Sequence, residues 1–280
     1  MKIKNNIPNF VTVLNLFCGC MAILFAMRGQ FMQVGILFLA SLLFDFFDGF
    51  VARLLNAKSS IGKELDSLAD MVSFGVLPGV IFFMFISISL NDMFKPIEKR
   101  SMVNLAVESA GFVVTIFSAI RLAKFNTDTR QEDCFIGLPT PANALLVLSF
   151  PLALIYDIKI NPFVDLKTIS LQDLTNLLFI TPFQTLVTEV FGNVYLLLIL
   201  VMLLSFLLVS NIRLFSLKFK TFCWKENSIK YTFLMGSVFI YFLFAWVYGY
   251  FFVPLTFIII FYVILSVISN TITKRKNIHS

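Results

Sequence analysis

The sequence predicts an all-α protein, a polytopic transmembrane helical bundle of about eight spans, and three observations carry that expectation. Hydrophobic residues make up 59% of the 280 positions and charged residues only 14%, against about 25% charged in an average soluble domain. The apolar residues fall in runs long enough to cross a hydrocarbon layer of about 30 Å. The 22 lysines and arginines gather at the ends of those runs, as expected where loops meet a membrane surface. A net charge of +6 raises nucleic acid as a partner. Without a domain that interleaves basic and aromatic residues, the charge reads instead as attraction to membrane lipids, with no nucleic acid involved.

Taken in order, the first run extends from about Pro8 to Ala26, after Lys2 and Lys4. Its length and the second run that follows at once mark a retained span rather than a signal peptide. Asn9, Thr12 and Asn15 give it a polar stripe, suited either to interhelical hydrogen bonds or to a ligand. The second span, Phe31 to Leu55, carries Asp45 and Asp48 in its last turns. The third, Leu65 to Leu90, carries Asp66 and Asp70 in its first turns. Both pairs therefore lie at one membrane face, joined by the short polar connection Asn56 to Gly62.

A fourth span, Asn104 to Phe125, ends in RLAKFN, Arg121 to Asn126. The two prolines of GLPTPANA, Gly137 to Ala144, interrupt helix before a fifth span to about Ile155. Residues 157–193 are mixed in character and read as an extracytoplasmic loop with interfacial helical pieces. Three more spans are expected, at Val194 to Leu214, Tyr231 to Val247 and Phe251 to Asn270. Residues 1–156 are thus the expected catalytic membrane core, and 194–280 supply the remaining helices of the same bundle. The sequence leaves the oligomeric state open, a homodimer included.

The four cysteines show no metal-ligand spacing, and Cys18 and Cys20 in an apolar run read as small hydrophobes. The single histidine, His279, is the penultimate residue, which argues against histidine catalysis and His/Cys zinc sites. The acidic residues are more telling, since five of the sixteen fall between Asp45 and Asp70. A carboxylate near hydrocarbon is costly unless a cation or water compensates it. Spacings of three and four residues put each aspartate pair on one helical face, so four carboxylates can converge. Their repulsion calls for a counter-charge, and an all-oxygen ligand set suits Mg²⁺ or Mn²⁺. Gly49 and Ala52 lie a turn beyond the first pair and leave room for a ligand, Gly62 does so before the second, and Arg53 offers a planar fork to a phosphate.

The order D-x2-D-G-x2-A-R-x8-G-x3-D-x3-D, filled by Asp45, Asp48, Gly49, Ala52, Arg53, Gly62, Asp66 and Asp70, resembles the signature of the CDP-alcohol phosphotransferases. Eight specified positions at fixed gaps make the match specific. The stretches Glu64 to Gly79, Arg121 to Asn126 and Gly137 to Ala144 resemble the membrane-type phosphatidylserine synthases of that family, over about the first half of the chain. The resemblance implies transfer of a phosphatidyl group from CDP-diacylglycerol to L-serine, with release of CMP. It implies two divalent cations, Mg²⁺ or Mn²⁺, held by Asp45, Asp48 and Asp66, with Asp70 completing the cluster and accepting the alcohol proton. Thr12, Gly49, Ala52, Arg53 and Gly62 would bind the nucleotide, and Arg121, Lys124 and Asn126 the acceptor. Glycerol 3-phosphate or an inositol phosphate is the competing acceptor, and a cation transporter the non-enzymatic alternative.

Orientation follows from the basic residues. With eight spans and the N-terminus inside, sixteen of the 22 lie at inner ends and six at outer ends. The expected arrangement is an inner-membrane protein with both termini and the aspartate site facing the cytoplasm.

Overall fold

A computed structural model describes residues 2–57, 59–128, 134–157, 159–160, 178–179, 182–217 and 223–279. Lys58, Arg130, Lys167, Lys218 and Lys220, five of the residues on which the orientation rests, lie outside them, as does most of the 157–193 loop. The architecture is the expected helical bundle. Helices α1 (Lys2–Met27) and α2 (Phe31–Leu54) form an antiparallel pair. The next span is one continuous 30-residue helix, Ser60–Ser89, composed of α3 (Ser60–Asp70), a π-helical turn (Met71–Val76) and α4 (Leu77–Ser89).

This third span is the axis of the bundle, and 72% of its most apolar window is buried. Phe74, Leu77, Ile81, Phe82 and Ile86 are almost completely enclosed, and Phe74 meets Phe38 of α2 edge to face at 5.6 Å. Small residues allow the close approach, because a Cβ on Gly79 would sit 2.1 Å from Thr115 Oγ1 and one on Gly19 2.3 Å from Ser73 Oγ. The span starts five residues before Leu65, the expected first residue. Ser59 is the reason, since its hydroxyl caps the helix by accepting a hydrogen bond from the Gly62 N–H at 3.0 Å.

Helices α5 (Met102–Ser109) and α6 (Val113–Thr127) run together as the fourth apolar helix, through a short 3₁₀ turn. The prolines of GLPTPANA initiate α7 (Thr140–Tyr156). Helix α8 (Pro182–Gly192) meets α9 (Val194–Val209) at 97°. Helices α10 (Trp224–Phe242) and α11 (Val253–His279) pack as a final pair. Among the described residues, six helices are long and apolar enough to span a membrane, or seven if the bent α8–α9 pair counts as one. The other segments read as spans are short, 17 residues for α7 and 16 for α9, about 25 Å at 1.5 Å per residue.

The span expected to reach Leu214 stops at Val209. The chain then extends, and β4 (Arg213–Phe215) pairs antiparallel with β1 (Cys134–Ile136). A second small pair joins β2 (Lys159–Ile160) to β3 (Leu178–Phe179). Asp157, just after α7, accepts backbone hydrogen bonds from Phe251, Phe252 and Val253 at 2.8–2.9 Å. A buried carboxylate thereby caps the start of α11 and ties the last helical pair to the core.

Candidate active site

Where α2 ends and the third span begins, the chain brings the aspartates together. One carboxylate oxygen from each of Asp45, Asp48 and Asp66 lies within 4.8 Å of the others. Asp48 is buried, and Asp45, Asp66 and Asp70 are half-buried. Among the described residues, no lysine or arginine forms an ion pair with any of the four. Asp66 Oδ1 is enclosed and has no hydrogen-bond partner. Clustered carboxylates with open oxygens and no paired cation fit a divalent metal ion, a hard cation that takes oxygen ligands.

The polar stripe of α1 holds these carboxylates in place. Thr12 Oγ1 donates to Asp48 Oδ2 at 2.6 Å. Asn15, completely buried, donates from Nδ2 to Asp70 Oδ1 at 3.3 Å and accepts from Ser73 Oγ at 2.8 Å through its own Oδ1. Ser41 Oγ and Ser73 Oγ both donate to the Asn15 carbonyl at 3.2 Å. The π-helical turn immediately after Asp70 carries Ser73 into this network. One-turn π segments are frequently found at functional sites. Asn15, Ser41 and Ser73 are thus site residues beyond the sequence-derived set, and only the stripe that includes Asn15 hinted at them.

A cavity of about 520 Å³ opens beside the cluster, within the range of small-molecule sites. Thr12, Asp48, Gly49, Ala52, Arg53, Gly62 and Asp66 line it, so all five expected nucleotide residues share one space with two of the aspartates. Pro8, Asn9, Ala57, Ser59, Ser60 and Lys63 complete the wall. The motif glycines differ in what they make room for. A Cβ on Gly49 would meet only the tip of Arg53, at 3.8 Å, leaving the helix surface open to a ligand. One on Gly62 would press on Asn9 Oδ1 at 2.9 Å.

The expected acceptor residues separate. Arg121 and Lys124 line a second cavity of about 400 Å³ at the end of α6. The Arg121 side chain is buried, stacks near Phe125 and Phe135 at 5.1 and 5.9 Å from their ring centres, and leaves Nε without a partner. It lies near enough to Asp70 for their charges to attract. Asn126 is not on this wall. Its Nδ2 donates to Ser67 Oγ at 2.7 Å and its carbonyl accepts from Lys63 Nζ at 3.0 Å, so it links α6 to α3.

The description of the CDP-alcohol phosphatidyltransferase family matches residues 5–172, which include the whole aspartate site. The chain belongs to that family. Among curated relatives, the CDP-diacylglycerol–serine O-phosphatidyltransferase of Helicobacter pylori (strain J99) is 43% identical over 143 residues, 50% of this chain and 55% of that protein. The Bacillus subtilis protein of the same name is 33% identical over 148 residues, 52% of this chain and 76% of its own length. The Methanocaldococcus jannaschii one is 37% identical over 144 residues, 51% and 59% of the two chains. The chain thus spans about half the length of the Helicobacter relative. Helices α8 to α11 lie outside the family match.

Proposed function

We propose that this protein transfers the phosphatidyl group of CDP-diacylglycerol to the hydroxyl of L-serine, giving phosphatidylserine and CMP. The observation that carries this reading is the convergence of three carboxylates, two of which line the same cavity as Gly49, Ala52, Arg53 and Gly62. A bare ion path, as in a cation transporter, has no use for a cavity of that size walled by arginine and lysine. The names of the relatives point to serine.

In this reading Asp45, Asp48, Asp66 and Asp70 hold the divalent cations. When bound, such ions neutralise the diphosphate and stabilise the attacking and leaving oxygens of an in-line displacement. The chain's own groups do the rest. The missing side chain at Gly49 lets the cytidine diphosphate lie against α2, and Arg53 and Lys63 balance its charge. Thr12 and Asn15 fix the rotamers of Asp48 and Asp70. Asp70 takes the serine proton as the hydroxyl oxygen bonds to the lipid-linked phosphorus and the bond from that phosphorus to the CMP oxygen breaks. Arg121 pairs with the serine carboxylate. The sixteen-to-six distribution of basic residues supports a cytoplasmic site in the inner membrane, where soluble serine is available.

The test is CMP release by the purified protein from CDP-diacylglycerol with Mg²⁺ or Mn²⁺ and a panel of alcohols. Serine is expected to give the fastest release. Faster transfer to glycerol 3-phosphate, or no release with any alcohol, overturns the proposal.

A further inference from the structure

The second cavity has a wall that the family-matched half does not supply. Helix α9 ends at Val209, and the strand that follows it pairs with β1 in the register Phe135 to Leu214. The Gly137 N–H donates to the Ile212 carbonyl and the Leu138 N–H to the Leu207 carbonyl, each at 2.9 Å. Gly137 has φ +78°, and a Cβ there would sit 2.2 Å from the Leu208 carbonyl oxygen. Only glycine permits that approach. Residues 207–215 are therefore pinned over the end of α6, and this brings Asn211 into the cavity that Arg121 and Lys124 line. These residues fall beyond position 172, where the family match ends.

The polar groups around this cavity are of both signs. Arg121 and Lys124 are cationic, Asp128 from the turn after α6 is anionic, and Asn211 adds an amide. Arg121 is 94% buried by its 6% exposure, with Nε unpartnered, so the wall already holds a desolvated donor without an acceptor. That donor calls for an anionic group on the ligand. A purely anionic acceptor such as a phosphate ester would be repelled by Asp128 on the same wall. A ligand carrying a carboxylate and an ammonium on adjacent atoms suits both signs at once.

We infer that Asp128 and the Asn211 amide oxygen read the ammonium group of an α-amino acid acceptor, so that the unmatched second half of the chain, through Asn211, contributes to acceptor specificity. This rests on the transfer reaction proposed above and concerns which residues choose its acceptor. Asn211 and Asp128 act by contact with the acceptor and take no part in bond making.

The experiment compares acceptors with the full-length protein, CDP-diacylglycerol and a divalent cation. The acceptors are L-serine, 3-hydroxypropionate, which lacks the amino group, and ethanolamine, which lacks the carboxylate. Asn211→Ala and Asp128→Asn are each expected to lower the ratio of kcat/KM for serine over 3-hydroxypropionate by roughly 10- to 100-fold, the loss of one charge-assisted hydrogen bond, mainly through the KM for serine. Arg121→Ala should instead erode the preference for serine over ethanolamine. Asn211 is exposed, so its variant is expected to fold, and Asp128→Asn keeps the side-chain shape. If the unmutated protein uses serine but both variants keep its serine to 3-hydroxypropionate ratio, this inference falls and the proposed reaction stands. If the unmutated protein does not use serine at all, both fall.

Discussion

The two ends of the third span treat buried acid in opposite ways. At its start, Asp66 and Asp70 face Asp45 and Asp48, with no ion pair to a lysine or arginine among the described residues. Just past its end, Asp92 accepts from Lys95 Nζ and from Asn104 Nδ2 at 2.6 Å. Beside it the completely buried Glu108 takes Arg100 at 2.7 Å, and Arg100 also reaches Ser87 Oγ at 3.1 Å and the Met93 carbonyl at 3.3 Å. Each buried acid at that end has its cation within the chain. An internally neutralised cluster fixes a loop; one left without cations fits ions and a substrate from outside. Burial alone does not mark a site in this protein, whereas a cluster of sequestered acids without a cation does.

The comparison breaks most sharply under substitution at the aspartate end. Asp70→Asn is expected to lower transfer by roughly 10²- to 10⁴-fold, the range for loss of a general base. Asp45→Asn, Asp48→Asn and Asp66→Asn should also abolish turnover while the protein still inserts in the membrane. CMP-release rates on normally expressed variants check this, and full activity in any of them removes that residue from its role. At the far end, Arg100→Ala leaves Glu108 buried and unpaired, which should cost about 3 to 5 kcal/mol of stability. Thermal unfolding in detergent should register that loss, while turnover per folded molecule stays near that of the unmutated protein.

Smaller effects sharpen the same contrast. Thr12→Val and Asn15→Ala remove the hydrogen bonds that orient Asp48 and Asp70. Each should raise the divalent-cation requirement roughly 10- to 100-fold, as loss of a supporting partner does at other metal sites. The smallest expected effect concerns Asp92, where hydrogen bonds from Lys95 and Asn104 hold the carboxyl below its ordinary value. A depressed value in the folded state contributes stability above the unfolded pKa of about 3.9, and that stability is lost as the pH falls through the lower folded value. The difference in melting temperature between the unmutated protein and Asp92→Asn should therefore be present at pH 6 and shrink below about pH 4.

How much of this was legible depended on whether a residue's role is local. Asp45, Asp48, Asp66 and Asp70 stood out because charge in an apolar run is conspicuous and helical spacing puts each pair on one face. Gly49, Ala52, Arg53 and Gly62 followed from the same motif spacing. Asn15 was visible as part of a stripe, but its bond to Asp70 joins helices 55 residues apart, which no local pattern contains. The π-helical turn MVSFGV reads like any apolar helix, since its extra residue per turn leaves no mark on composition. Strands of three residues carry too little alternation to be seen, so the pairing of Cys134–Ile136 with Arg213–Phe215, and Asn211's position with it, emerged only in three dimensions. Asn126 was assigned to the acceptor through the resemblance of RLAKFN, which says nothing of where its amide turns. In the structure that amide donates to Ser67.

The central claim, that the aspartate end binds metal and the opposite end does not, is tested most directly by Mn²⁺ binding followed by electron paramagnetic resonance on the purified protein. The unmutated chain should bind Mn²⁺ saturably, Asp48→Asn and Asp66→Asn should lose that signal, and Asp92→Asn should retain it. Absence of saturable binding in the unmutated chain, or equal loss in Asp66→Asn and Asp92→Asn, would contradict the claim.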